Sequence, residues 1–130
     1  MILCSGSFDG LHAGHVAYLA SAAALKREPS EHVLVSVAPD TYQPHGHPPR
    51  WSQGDRRETV QAIRDVDVAV CDEQITPAEL IRVRQPRLFV KGDDWVGRLP
   101  PDVIRACDEV KCPIVYIAIP WVPSHNSDKR

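Results

Sequence analysis

What this sequence lacks narrows it first. No apolar run approaches the ~20 residues a bilayer span requires, and the MILC opening has neither the basic stretch nor the long apolar stretch of a secretory signal. The expectation is a soluble, cytoplasmic protein with no membrane partner. Charge of one sign is missing too. Lysine and arginine number 15 against 17 acidic residues, a formal net charge of -2, so no global positive field gathers nucleic acid and any anion site must be local. The four cysteines, Cys4, Cys71, Cys107 and Cys112, never fall at CxxC spacing, which suggests neither a zinc ribbon nor a redox pair. They are expected to be reduced and mostly buried; only Cys107 and Cys112 are near enough in sequence to consider as a pair. No internal repeat is found. A chain of 130 residues has room for one core, and a single domain over 1–130 is expected.

What is present is alternation. Residues 1–5 (MILCS), 32–38 (HVLVSVA), 66–71 (VDVAVC), 87–91 (RLFVK) and 113–119 (PIVYIAI) are rich in β-branched residues and read as buried strands. Helical patterns lie between them. Residues 14–26 carry Val16, Leu19, Ala20 and Ala23 at helical spacing, and residues 53–65 follow Ser52 as N-cap with Val60 and Ile63 inward. TPAEL gives a third helix start, with Thr76 as cap and Pro77 at the first helical position, and a fourth helix near Pro101 carries Val103, Ile104 and Cys107. Strand and helix alternating in this way specify an α/β fold, a Rossmann-like doubly wound five-stranded parallel sheet whose ligands bind beyond the carboxyl ends of the strands.

The opening motif lands at that place. In SGSFDGLHAGHVAYL (5–19) a strand ending near Ser5-Gly6-Ser7 turns through Asp9-Gly10 into a helix beginning at His12 to Gly14. Such a junction aims free backbone N–H groups and a positive helix end at one point, where phosphate belongs. Gly14 admits an anion close to the backbone, and His12 and His15, one turn apart, can each donate to it. The alternatives are that His12 caps a turn while His15 packs on the helix flank, or that the pair binds zinc, which would need further ligands.

These residues resemble the HxGH nucleotidyltransferases, and among them the small cytidylyltransferases typified by glycerol-3-phosphate cytidylyltransferase. GSFDGLHAGH (6–15), RRETVQAIRDVD (56–67) and VKGDDW (90–95) carry the likeness, which spans residues 2 to 119. HAGHVAYL and VKGD are also similar to the adenylyltransferase domain that makes ADP-heptose, so CTP is the first choice of donor and ATP the alternative; FMN adenylyltransferases share the opening and resemble the rest less. The resemblance implies that an acceptor phosphate attacks the α-phosphorus of a nucleoside triphosphate, pyrophosphate leaves, and magnesium enters with the nucleotide. It implies catalytic roles for His12, His15, Asp9 and Arg64, the last beside Asp67. It further implies nucleotide contacts from Gly6, Ser7, Phe8, Gly14, Lys91, Gly92, Asp94, Trp95 and Ser127, with no metal ligand supplied by the chain and a homodimer as in many relatives.

Two stretches depart from that pattern. In QPHGHPPR (43–50), His45 and His47 stand where the cytidylyltransferases carry lysines, which leaves the phosphorylated acceptor (polyol, sugar or amino-alcohol) open; Arg56 is the third candidate acceptor contact. At the chain's end SHNSDKR, with Ser124, Ser127, Lys129 and Arg130, replaces the family's basic and Ser/Thr-rich turn. A nucleotide-binding module without turnover is the reading from another class.

Overall fold

The computed structural model describes residues 1–119, and these form one α/β domain. Its strands are β1 (Ile2–Gly6), β2 (Val33–Val37), β3 (Val68–Cys71), β4 (Leu88–Gly92) and β5 (Ile114–Ile117); its helices are α1 (Ala13–Ala23), α2 (Gln53–Gln61), α3 (Ala78–Arg84) and α4 (Pro101–Val110). A single 3-10 turn, Asp93–Trp95, follows β4. The sheet order is β3-β2-β1-β4-β5 and every pair is parallel. The expected doubly wound sheet is therefore present, with all five strands near their expected places.

Both faces of the sheet are covered, so its strands are apolar at successive residues rather than at alternate ones. Ile2, Cys4, Val33, Val35, Val37 and Val90 pack on one side with Leu19 of α1 and Val60 of α2. Leu3, Leu34 and Phe89 point to the other side and meet Ile81 of α3 and Val103 and Cys107 of α4. This is the period-two alternation of a strand, expressed twice.

The buried face of α1 differs from the expected one. Gly14, Tyr18, Leu19 and Ala22 are buried, whereas Val16 is 47% exposed. Gly14, Tyr18 and Ala22 recur at every fourth residue and bring the tyrosine ring onto the sheet, which turns Val16 and Ala20 outward. Ile104 of α4 is likewise exposed. α2 stops at Gln61 rather than continuing to 65. The turn after it is tied to the sheet by Asp67, whose carboxylate accepts the Val33 N–H at 2.7 Å and pairs with Lys26 at 3.0 Å. Ser52 caps α2 as expected, accepting the Asp55 N–H at 3.3 Å. α3 begins at Ala78; the Thr76 hydroxyl accepts the Ala78 N–H at 3.4 Å and donates to Asp102 at 2.6 Å.

Cys4, Cys107 and Cys112 are buried as expected, but Cys71 is exposed. The end of α4 explains the pair. Lys111 takes the left-handed conformation at φ 57°, and the Cys112 N–H donates to the Cys107 carbonyl at 2.8 Å. This is a Schellman closure, in which the two side chains flanking the turn pack together; here both are thiols.

Candidate functional site

The site grows out of the place where the sheet's winding reverses. β1 keeps register with β2 as far as Gly6↔Val37, but with β4 only as far as Cys4↔Val90. Beyond that pair the two central strands part. Into the gap opens a cleft of about 770 Å³, walled by the loop after β1, the start of α1, the 3-10 turn and the loops after β2 and β3. A crevice at this switch point is where open α/β sheets bind ligands.

Of the expected residues, Gly6, Ser7, Phe8, Asp9, His12, Gly14, His15, His45, His47, Lys91, Gly92, Asp94 and Trp95 all line this cleft. Ser127, like Ser124, Lys129 and Arg130, lies outside the described residues. Phe8 adopts the left-handed region at φ 53°, and its ring lies against Gly6, where an added Cβ would come within 2.9 Å of the ring. The glycine is needed for that close approach.

The two histidines open α1 as a reciprocal cap. His12 Nδ1 accepts the Gly14 N–H at 3.0 Å, and His15 Nδ1 accepts the His12 N–H at 3.3 Å. Their rings stack with centroids 3.9 Å apart, and the Phe8 ring lies 5.3 Å from that of His15. Capping and ligand binding, taken from sequence as alternatives, are compatible here. Because each Nδ1 is an acceptor, the hydrogen-bond network places the ring proton of each histidine on Nε2. The cap thus engages Nδ1 of each ring.

Lys91 supplies the cleft's buried charge. Its Nζ donates to the Ser5 carbonyl at 3.0 Å and to Ser5 Oγ at 3.3 Å, and lies 4.6 Å from the Trp95 ring centroid. The residue is only 6% exposed, and no carboxylate among the described residues forms an ion pair with it. Burial pushes its ammonium down to about 8, with Cys4 and Asp94 acting in the opposite direction. An anion entering the cleft would supply the missing counter-charge.

Two assignments change, and a third gains a structural partner. Asp9 lines the cleft, and its carboxylate accepts the Arg50 N–H at 2.9 Å and the Trp51 N–H at 3.0 Å, which anchors the loop after β2 beside the cleft. Arg56 is absent from the cleft wall and 1% exposed. It donates to the Trp51 carbonyl, to the Ser7 carbonyl at 2.7 Å and to Asp40 at 2.8 Å, and so staples the loop after β1 to the loop after β2; it is not an acceptor contact. Arg64 is exposed in the turn after α2. That turn sits at the amino end of the sheet, where Asp67 meets the start of β2, whereas Gln53 at the other end of α2 reaches the last carbonyl of β2 and that of Asp72 just past β3. Arg64 is thus at the wrong end of its helix for catalysis in this cleft.

Arg56→Met is expected to lower stability by about 1 to 3 kcal/mol, since two partly buried carbonyls and Asp40 lose their donor. A wild-type urea midpoint for that variant would contradict the staple.

Several cleft residues carry no recognisable sequence signal. Ser36 donates to Asp72 at 3.0 Å at the ends of β2 and β3, and Tyr42, Arg50, Gln74 and Thr76 join them on the wall. Tyr18 lies beneath the floor. Among the described residues no group of three or more His, Cys, Asp or Glu is gathered to hold a metal ion, and no helix is long and apolar enough to cross a membrane.

Comparison with known proteins agrees with this geometry. The chain is 32% identical over 101 residues to the bifunctional protein HldE of Campylobacter fetus, covering 75% of this chain and 21% of that protein. It is 34% identical over 110 residues to HldE of Gluconacetobacter diazotrophicus, covering 82% and 21% respectively. The chain spans about a fifth of the length of these curated relatives. The crystal structure of the lipopolysaccharide core biosynthesis protein from Thermoplasma volcanium shares the fold at a TM-score of 0.73 and 20% identity, over 93% of this chain and 96% of that one. The cytidylyltransferase-like family model matches residues 3–129, which takes in both the histidine cap and the Lys91 strand, and the chain belongs to that family of nucleotidyltransferases.

Proposed function

We propose that this domain transfers a nucleotidyl group from a nucleoside triphosphate to the phosphate of a small acceptor, with release of pyrophosphate. The observation that carries the reading is the convergence on one cleft of the α1 N-terminus, the two histidines of its cap and an ammonium without an ion-pair partner among the described residues. The triphosphate lies with its phosphates against His12, His15 and the first turn of α1, where a helix end and preorganised donors favour negative charge. An oxygen of the acceptor phosphate attacks the α-phosphorus in line, and the bond to pyrophosphate breaks. The chain's work is positioning two anions and stabilising the charge on the equatorial oxygens, for which donors fixed before the reaction are the effective ones. Magnesium, which screens charge on the triphosphate, arrives as part of that substrate.

ATP is the first choice of donor, since the relatives agree with the resemblance of HAGHVAYL and VKGD to ADP-heptose-forming domains. CTP is the second reading, favoured by the Gly92-Asp93-Asp94-Trp95 stretch. The acceptor lies toward the loop of His45 and His47. Its neighbours Asp72, Gln74, Thr76 and Tyr42 offer hydrogen bonds suited to a hydroxylated body such as a sugar phosphate. Pyrophosphate release should be measured with four triphosphates against sugar, polyol and amino-alcohol phosphates. Binding of a triphosphate with no release for any acceptor would leave a binding module instead.

His45→Lys together with His47→Lys should raise turnover with a simple polyol phosphate, because each lysine brings a full positive charge to the loop. Indifference of both affinity and turnover, for every phosphorylated acceptor, would remove this loop from the acceptor site.

A further inference from the structure

The Tyr18 hydroxyl stands where the ladder between β1 and β4 ends. It accepts the Ser5 N–H at 3.2 Å and donates to the Val90 carbonyl at 2.5 Å. Ser5 and Val90 belong to strands whose last paired residues are Cys4 and Val90, so the hydroxyl occupies the gap in which the next rung would lie. The same Ser5 presents its carbonyl and its Oγ to Lys91 Nζ. One residue is therefore gripped on its N–H side by Tyr18 and on its oxygen side by Lys91.

We propose that Tyr18 is a positioning residue for the nucleotide site, acting through Ser5: its hydroxyl keeps the two central strands apart and so holds the Lys91 ammonium at the cleft floor. The proposal rests on the nucleotide reading above. A phenylalanine fills the same space but cannot bridge the strands. The Ser5 N–H and the Val90 carbonyl then gain by pairing directly, since leaving both unmet in the interior is costly. Closing the strands withdraws the Ser5 oxygens from Nζ. A buried ammonium that loses its acceptors is easier to deprotonate and offers less to an anion. The titratable groups around Nζ are Cys4 on β1, Tyr18 on α1 and Asp94 in the 3-10 turn, with Tyr116 of β5 in register beside Lys91. Burial pushes Cys4 up to about 12 and Lys91 down to about 8.

The test compares wild type, Tyr18→Phe, Lys91→Met and the double variant. The Lys91 side chain is followed by 13Cε NMR against pH, assigned by its loss in Lys91→Met, and ATP and CTP binding is measured with magnesium at pH 7.5. Tyr18→Phe is expected to move the Lys91 titration below about 8 and to weaken triphosphate binding on the order of five- to tenfold. In the Lys91→Met background the same substitution should cost little further affinity, since the residue it positions is gone. An unmoved Lys91 titration, or losses that multiply, would make Tyr18 a structural plug and overturn the proposal. Should Tyr18→Phe fail to fold, 3-fluorotyrosine at all three tyrosines, assigned with Tyr42→Phe and Tyr116→Phe, leaves the shape intact. The Tyr18 19F signal must then shift as Lys91 titrates and again when ATP or CTP is added; silence in both overturns the proposal. A wild type that binds no triphosphate would instead overturn the nucleotide reading, and with it the purpose assigned to Tyr18.

Discussion

Replacing His12 with serine should reduce turnover about 10²- to 10³-fold while leaving the melting temperature close to wild type, and His15→Glu should do the same. The two effects separate because each histidine uses different atoms for its two tasks. Nδ1 of each ring holds the reciprocal cap at the start of α1, which assigns the ring proton to Nε2. Serine is among the best N-cap residues, and glutamate at the third helical position is the usual partner in a capping box. The substitutions therefore keep the cap and delete the donor. Glutamate also sets a negative charge against the phosphates. His12→Ala is the contrasting control, since it loses cap and donor together and should cost about 1 kcal/mol of stability as well. Pyrophosphate release and thermal melts on the same preparations decide the matter. Near-normal turnover in His12→Ser or His15→Glu would show that the histidines only build the helix end.

This atom-by-atom division was beyond reach of the sequence, although the motif was plain in it. Two histidines around a glycine at a strand-to-helix junction pointed to an anion site, and the cleft contains both residues. What spacing could not convey is which ring nitrogen faces which way, because that depends on backbone geometry at the cap. The sheet was legible for a simpler reason. Strands buried on both faces must be apolar without interruption, so 32–38 and 87–91 stood out from the helical patterns between them. Helix faces were less so. Val16 and Tyr18 both suit the inner face of α1, and only the Ser5 and Val90 backbone groups, distant in sequence, select the tyrosine. Arginines were misread most. Arg56 and Arg64 lie two helical turns apart in one amphipathic segment and carry the same charge, yet one is buried as a staple and the other is exposed at the sheet's far end. Which end of a helix faces the ligand follows from sheet topology, and topology is not a local property.

The second large effect concerns stability and binding moving in opposite directions. Lys91→Met should raise the melting temperature near neutral pH and weaken triphosphate binding by about 10- to 100-fold. Burial lowers the Lys91 ammonium from 10.5 to about 8, a cost of roughly 3 kcal/mol while the group is charged in the folded state. That penalty is present in full below pH 8, where folded and unfolded chains both hold the proton. It is relieved between pH 8 and 10.5, where the unfolded chain holds the proton and the folded chain has released it, so this group's contribution to stability rises with pH across that window. Methionine removes the penalty but leaves the two Ser5 oxygens without this donor, a loss of about 1 kcal/mol. The net gain of about 1 to 2 kcal/mol corresponds to a rise of roughly 3 to 8 °C at pH 7, shrinking as pH approaches 10. Binding has the opposite pH sense. Wild-type affinity for a triphosphate should fall severalfold as pH rises from about 7.5 to 9.5 and Lys91 loses its charge, whereas the variant's weaker affinity should stay flat. Melting curves and titration calorimetry at matched pH values test both halves. A variant that melts lower at pH 7 while binding as tightly as wild type would show that Lys91 is a structural cation with no part in holding the nucleotide.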